Sequence, residues 1–514
     1  MRPYVFSYVG WSLLLSIAAC QHAAPPPQPP KGLPSPAISK PIAVVEADPN
    51  ATAPLASFVP PWPFPKVNPT VLDNGLQVDL IERHSLPIVD LELVIKSGIA
   101  SEGDRAGAAK ITPEWLEAGG AGRWNSRQLR ESVDALGASL EISVNRDSTR
   151  FAMAVTNDRI APALEILGAL VQSPRFDRPE FLKLRQRELE RVRSLSRTSG
   201  AWMAQMWLQR QLFRRPIGVH PYGSFDVLPI ELERLGTAAC LNWYREFITP
   251  HNAHLIVVGD ANPERLRLEI ERNFGRWKGP EVPAFNPPVP ESVSRFEIFV
   301  VDRPNSTQSD IYLAFLGPNR RDPDFPMAAI AQQVVGGGVA GRLFLDVREK
   351  RSLAYSTGAG IQELASGPSV LYLAAGTQTP KTAETVGALL EHLEKLEAGP
   401  FLPEELETAE HFLVDGMPIR WEQVQSLASQ LMQIRVLGLS IDHYDVFREK
   451  IRLATNADVS RVAKGLYRRD RAVVVVAGDG NAIVSALTKF GPVSRVDPSQ
   501  NFRIREQLAP SATP

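Results

Sequence analysis

Leu255-Ile256-Val257-Val258-Gly259-Asp260 is an apolar run stopped by a Gly-Asp pair, and the chain writes it again as Val473-Val474-Val475-Val476-Ala477-Gly478-Asp479. A helical stretch follows each copy and closes on an aromatic-Gly pair, Phe274-Gly275 and Phe490-Gly491. Earlier in each half lies a second match. Residues 91–95 read as a strand, followed by a turn and an alanine-rich helix ending at Gly119-Gly120. Residues 311–316 do the same, ending at Gly336-Gly337-Gly338. A repeat of about 215 residues is a duplicated domain and not a solenoid. Amphipathic helices over 179–197 and 382–397, mixed with strands, make each half α+β. Prolines 280, 283, 287, 288 and 290 mark a linker. The expected layout is one half over 70–279, a linker over 280–294, a second half over 295–502 and a tail over 503–514.

Charge narrows the function. Lys plus Arg total 56 against 57 Asp plus Glu, a net charge of -1. That balance offers no basic face and excludes a nucleic-acid partner.

The N-terminus reads as an address. Arg2 precedes an apolar stretch over 4–19 that ends in Ile17-Ala18-Ala19-Cys20. Spanning a bilayer takes about 20 apolar residues, so the stretch is a secretory signal and not a transmembrane helix. Small residues before Cys20 resemble a bacterial lipobox, which makes Cys20 the lipidation site; the alternative is an ordinary signal peptide that happens to contain a Cys. Residues 23–69 hold 15 of the 44 prolines, and 21–69 read as a tether of about 3.1 Å per residue. The expected location is the bacterial cell envelope on the periplasmic side, held through a lipid anchor, with the outer membrane favoured over the inner. Cys240 is then left alone and reads as a buried small hydrophobe.

The order of motifs resembles the pitrilysin/insulinase-type zinc metallopeptidases. The pieces are Asn74-Gly75-Leu76, Ser97-Gly98 with Glu102, His220-Pro221-Tyr222-Gly223, Val257-Val258-Gly259-Asp260, Asp302-Arg303-Pro304, Gly336-Gly337-Gly338 and Arg348-Glu349-Lys350 through Ala354-Tyr355. The resemblance implies two homologous insulinase-type halves, each an antiparallel sheet with packed helices, together forming half of a clamshell around a peptide chamber.

Active members of that family carry H-x-x-E-H on the helix after a Gly, two His holding Zn²⁺ and the Glu activating water. Here Lys110 stands in place of the first His, Pro113 in place of the general base and Glu114 in place of the second His. A cationic Lys is no zinc ligand and Pro takes no proton. Glu188 and Glu190 fall about where the third ligand belongs. No metal is therefore expected in this chain. None of the eight His residues is spaced i, i+4 from another, and His251 and His254 read as capping or surface groups. Lys110 and Glu114 either pair with each other on a helix kinked by Pro113 or point into solvent.

The second half keeps what the resemblance asks of it. Arg348 and Tyr355 match the Arg and Tyr that reach across to a zinc site formed by another half, where guanidinium and phenol donate hydrogen bonds to an oxyanion. From spacing alone, Arg348 is a surface ion-pairing residue and Tyr355 starts a core strand. Gly336, Gly337 and Gly338 either line the substrate path or stop a helix. The function implied is a zinc-less subunit that lends Arg348 and Tyr355 to a zinc-bearing homologous partner for peptide hydrolysis. The alternatives are a non-enzymatic peptide-binding or scaffold lipoprotein and an independent protease with another site.

Overall fold

In the computed structural model, which describes residues 62–511, the two copies of the opening motif become the central strands of two sheets. The first sheet holds β1 (Asn68–Val71), β2 (Gln77–Glu82), β3 (Ile88–Ile95), β4 (Glu141–Val144), β5 (Thr149–Thr156) and β6 (Ala253–Gly259). The second holds β7 (Glu297–Asp302), β8 (Gln308–Gly317), β9 (Ala354–Gln362), β10 (Ser369–Gln378), β11 (Val473–Gly478), β12 (Val493–Asp497) and β13 (Arg503–Leu508). The order β2-β6-β3-β5-β4 in one is matched by β7-β11-β8-β10-β9 in the other. In both, the first pair is parallel and the rest antiparallel. The duplication read from the sequence is thus a duplication of topology.

β6 and β11 are buried along their whole length. Strands covered on both faces read as unbroken apolar runs, and the cover comes from opposite halves. The helix Gly200–Leu212 belongs to the first half but packs on β11 and β8, where Trp207 meets Phe299 edge-on with centroids 5.6 Å apart. In exchange, Val424–Val436 lies on β6 and β3 of the first sheet through Leu427, Leu431 and Ile434. Ile81, Val94, Ile256 and Val258 accordingly share a core with the second half. Arg435 on that helix donates two hydrogen bonds, of 2.7 and 2.6 Å, to Asp79 of β2.

The covered face also holds Asp90 and Glu92, on the same side of β3 as Val94. They are 1% and 0% exposed. Arg150 reaches Glu92 at 2.5 Å and Glu141 at 3.3 Å. One guanidinium cannot keep both buried carboxylates charged. Burial, reinforced by the Glu92 charge and opposed by Arg150, pushes Asp90 from its ordinary 3.8 up to about 8. Folding then takes up a proton that the unfolded chain has released. This stability contribution is present below the unfolded value and is lost as pH rises from about 4 to about 8. Relative to Asp90→Asn, the wild-type unfolding free energy should fall across that window by up to about 1.4 kcal/mol per pH unit. Urea unfolding at a series of pH values checks this; parallel curves would refute it.

Three readings need correction. The body does not begin at 70: Phe64 and Val67 are buried, and Phe64 meets Trp421 and Tyr444 with centroids 5.3 Å away in each case. The prolines around them concealed two core side chains. Residues 503–508, read as tail, form β13, whose exposed and charged sequence pairs along β12 without any apolar alternation to announce it. His254 is no surface or capping group but 3% exposed on β6, 3.4 Å from Asp79, and burial pushes its pKa down to about 3. His251, by contrast, is exposed, as the surface reading expects, and its ring fills the space above Gly75, whose φ of +87° suits glycine. Cys240 is fully buried. Cys20 and most of the tether lie outside the described residues.

Candidate functional site

The helix Ala108–Gly119 carries the positions where the resemblance puts zinc ligands. Gly107 starts it at φ +89°. The buried Glu102 carboxylate accepts the Gly107 and Ala109 N–H groups at 2.9 and 2.8 Å, satisfying two donors at the helix start. Ala108, Ile111, Trp115 and Leu116 form the buried face. Trp115 donates to the Asp177 carbonyl at 2.7 Å and packs on Phe176 and Phe181. The helix runs on through Pro113 as one element. What Pro113 removes is one backbone donor from the middle of the helix.

The pair expected between Lys110 and Glu114 does not form. Glu114 is bonded to Arg187, on the neighbouring helix Arg178–Thr198. Burial raises the Glu114 pKa, and the Arg187 charge opposes that rise. Among the described residues Lys110 has no ion-pair partner. Glu188 directly follows Arg187 on the same helix and is 8% exposed. Arg191 grips it with two bonds of 2.8 and 2.7 Å and also donates to both oxygens of Asp226 at 2.8 Å. Asp226 in turn accepts Trp202 Nε1 at 2.8 Å and the Val227 N–H at 2.9 Å. The sequence reading missed Arg187, Arg191 and Asp226, because nothing in a chain of evenly mixed charge singles out which arginine meets which acid.

This donor set does not fit zinc. Lys110 is a cation, Pro113 has no donor, and the carboxylates of Glu114 and Glu188 are already neutralised by guanidinium groups.

In the second half, Arg348 sits on the π-helical segment Leu343–Lys350 and Tyr355 on the edge strand β9 that packs against it. No hydrogen bond joins the two. The Arg348 guanidinium lies over the Phe344 ring at 4.8 Å, with Nε 3.6 Å from Glu349, and its side chain is 43% exposed. Tyr355 is 53% exposed and does not enter the core. The scaffold beneath them is fixed. Leu343 and Val347 are buried, Asp346 accepts from His392 at 2.9 Å and pairs with Arg351, and Arg342 makes a two-bond pair with Glu405 at 2.7 and 2.6 Å. Two exposed polar side chains thus project from an immobilised base.

The glycines divide. A Cβ on Gly336 would overlap Ala359 of β9, backbone nitrogen included, so this glycine lets the helix Phe325–Gly336 end against the edge strand. Gly336→Ala should cost about 1–3 kcal/mol through overpacking, measurable as a lower urea midpoint. Gly337 is close to the Gln333 carbonyl, while Gly338 has φ +71° and faces open space.

The chain belongs to peptidase family M16. Residues 78–216 match the pattern described as insulinase (peptidase family M16), and 238–413 match that described as the peptidase M16 inactive domain. Among curated relatives, the uncharacterized zinc protease YmxG of Bacillus subtilis is 20% identical, over 79% of this chain and 97% of its own length. Also 20% identical is a protein of the same organism described as probable inactive metalloprotease YmfF, over 65% of this chain and 80% of its own. Among solved structures, a peptidase M16 inactive domain from Pseudomonas fluorescens aligns with TM-score 0.73 at 21% identity, covering 80% of this chain and 98% of that one. The first half of the periplasmic protease PqqL from Escherichia coli aligns with TM-score 0.66 at 16% identity, covering 84% and 98%.

Proposed function

We propose that this chain is the zinc-less subunit of an exported, heteromeric M16 metallopeptidase. It supplies a wall of the peptide chamber and, in trans, the Arg348 guanidinium and Tyr355 phenol. The observation that carries this reading is an asymmetry. The metal positions are closed by Arg187 and Arg191, whereas Arg348 and Tyr355 stay open to solvent on a rigid base. A residue kept only for packing would be buried, and a surface ion pair would find a better partner than Glu349 at 3.6 Å.

The zinc-bearing partner would supply the metal and its activated water. This chain's part is electrostatic. Guanidinium and phenol donate hydrogen bonds where negative charge gathers on the scissile carbonyl oxygen, and such donors act most strongly in a site closed to water. Gly338, which faces open space, would leave room for an extended peptide beside this pair, whereas Gly336 and Gly337 are packed against Ala359 and Gln333 and serve to end the helix. Lipidation at Cys20 and a periplasmic-side envelope location belong to the same reading. The test is peptidase activity of the chain alone and mixed with a zinc-bearing M16 homologue of the same cell. Activity appearing or rising only in the mixture supports the proposal; a partner whose rate ignores this chain would leave a peptide-binding or scaffold protein.

A further inference from the structure

We infer that Gly376, Asp310 and Arg303 form a seat that aims the Tyr355 phenol, which makes them positioning residues of the trans-acting site; this rests on the role of Tyr355 proposed above.

The pairing of β9 with β10 slips at Tyr355. Ser356 is opposite Gly376 and Ala354 is opposite Thr377, so Tyr355 is the extra residue of a bulge. Bulges re-aim side chains, and here the ring turns across β10. A Cβ built on Gly376 would lie 2.6 Å from the Tyr355 Cζ and 2.7 Å from its hydroxyl oxygen. Any residue but glycine would evict the phenol. A glycine inside a strand costs stability, and close approach of another group is a physical reason to have one there.

Directly across from Gly376, on β8, is Asp310. Its carboxylate is 3.4 Å from Arg303 Nη1, and Arg303 Nη2 donates to the Thr198 carbonyl at 3.2 Å. Gly200 leaves space for this pair, since a Cβ there would overlap both Asp310 and Arg303. The phenol is therefore aimed towards an ion pair tied to the end of the very helix that carries Arg187, Glu188 and Arg191. Burial raises the Tyr355 pKa; the Asp310 charge adds to the rise, while Arg303 and the Ser356 hydroxyl oppose it.

The test isolates the Tyr355 phenol as the ultraviolet difference titration between each protein and its Tyr355→Phe counterpart, in the full chain without a partner. Asp310→Asn, nearly isosteric, is expected to move the ionisation to lower pH and Arg303→Met to higher pH. Gly376→Ala should shift it towards an ordinary exposed tyrosine. A merely structural role would not move the first two in opposite directions. In the mixture with the zinc-bearing homologue, Gly376→Ala should lower kcat by about 10²-fold, as displacement of a reacting group does. An ionisation indifferent to Asp310→Asn and Arg303→Met, or moved the same way by both, overturns the seat. A mixture that is inactive with the wild-type chain overturns the proposed function instead, and the titration still decides the seat.

Discussion

Arg348→Ala is expected to lower kcat of the mixed enzyme by about 10²–10³-fold, the usual effect of removing one donor to a developing oxyanion. The fold should not register the change. The Arg348 guanidinium lies over the Phe344 ring and beside Glu349, and its side chain is 43% exposed. Substitutions at such surface positions stay within about 0.5 kcal/mol. Arg348→Lys should recover little, since an ammonium lacks the fixed fork of donors that a guanidinium presents. Tyr355→Phe should act in the same direction and leave stability unchanged, because the phenol is exposed and the ring remains. Kinetics of the mixture beside a urea unfolding curve separate the two readouts. An unchanged kcat with intact subunit association would reduce Arg348 to a surface arginine.

Arg435→Met should destabilise the protein by about 3–5 kcal/mol, because it strands a buried charge. Asp79 is 1% exposed and depends on two bonds from Arg435. Its other neighbour, His254, has its pKa pushed down to about 3 and is a neutral imidazole at pH 7 that offers no compensating charge. Adding Asp79→Asn should return most of the loss. Because Arg435 lies on a second-half helix and Asp79 in the first sheet, unfolding should remain a single transition monitored from either half. A loss below about 1 kcal/mol, or two separated transitions, would contradict the exchange of helices as the bond between halves.

The duplicated fold was legible because its central strands are buried on both faces and so spell out unbroken apolar runs, ending at Gly259-Asp260 and Gly478-Asp479. Which sheet each helix covers was not legible. The apolar faces of Gly200–Leu212 and Val424–Val436 demand burial, but periodicity does not say against which half. The same limit applies to charge. Lys110 and Glu114 have the spacing of a helical pair, yet a guanidinium from another helix reaches Glu114 instead. The unsuitability of these positions for zinc could be read directly, since a cationic Lys and a Pro side chain offer no donor atom. The guanidinium groups that meet Glu114 and Glu188, and the glycine beneath Tyr355, are consequences of tertiary approach and leave no local pattern.

The central claim is that catalytic groups are divided between two chains, and its most direct measurement is a titration. A fixed amount of the zinc-bearing M16 homologue is assayed on peptides as this chain is added, wild type or Arg348→Ala. The rate should rise with added wild-type chain and level off at a fixed stoichiometry. With Arg348→Ala the complex should form at the same ratio but remain about 10²–10³-fold slower. A rate that is full before any of this chain is added, or equal for both versions of it, would contradict the account.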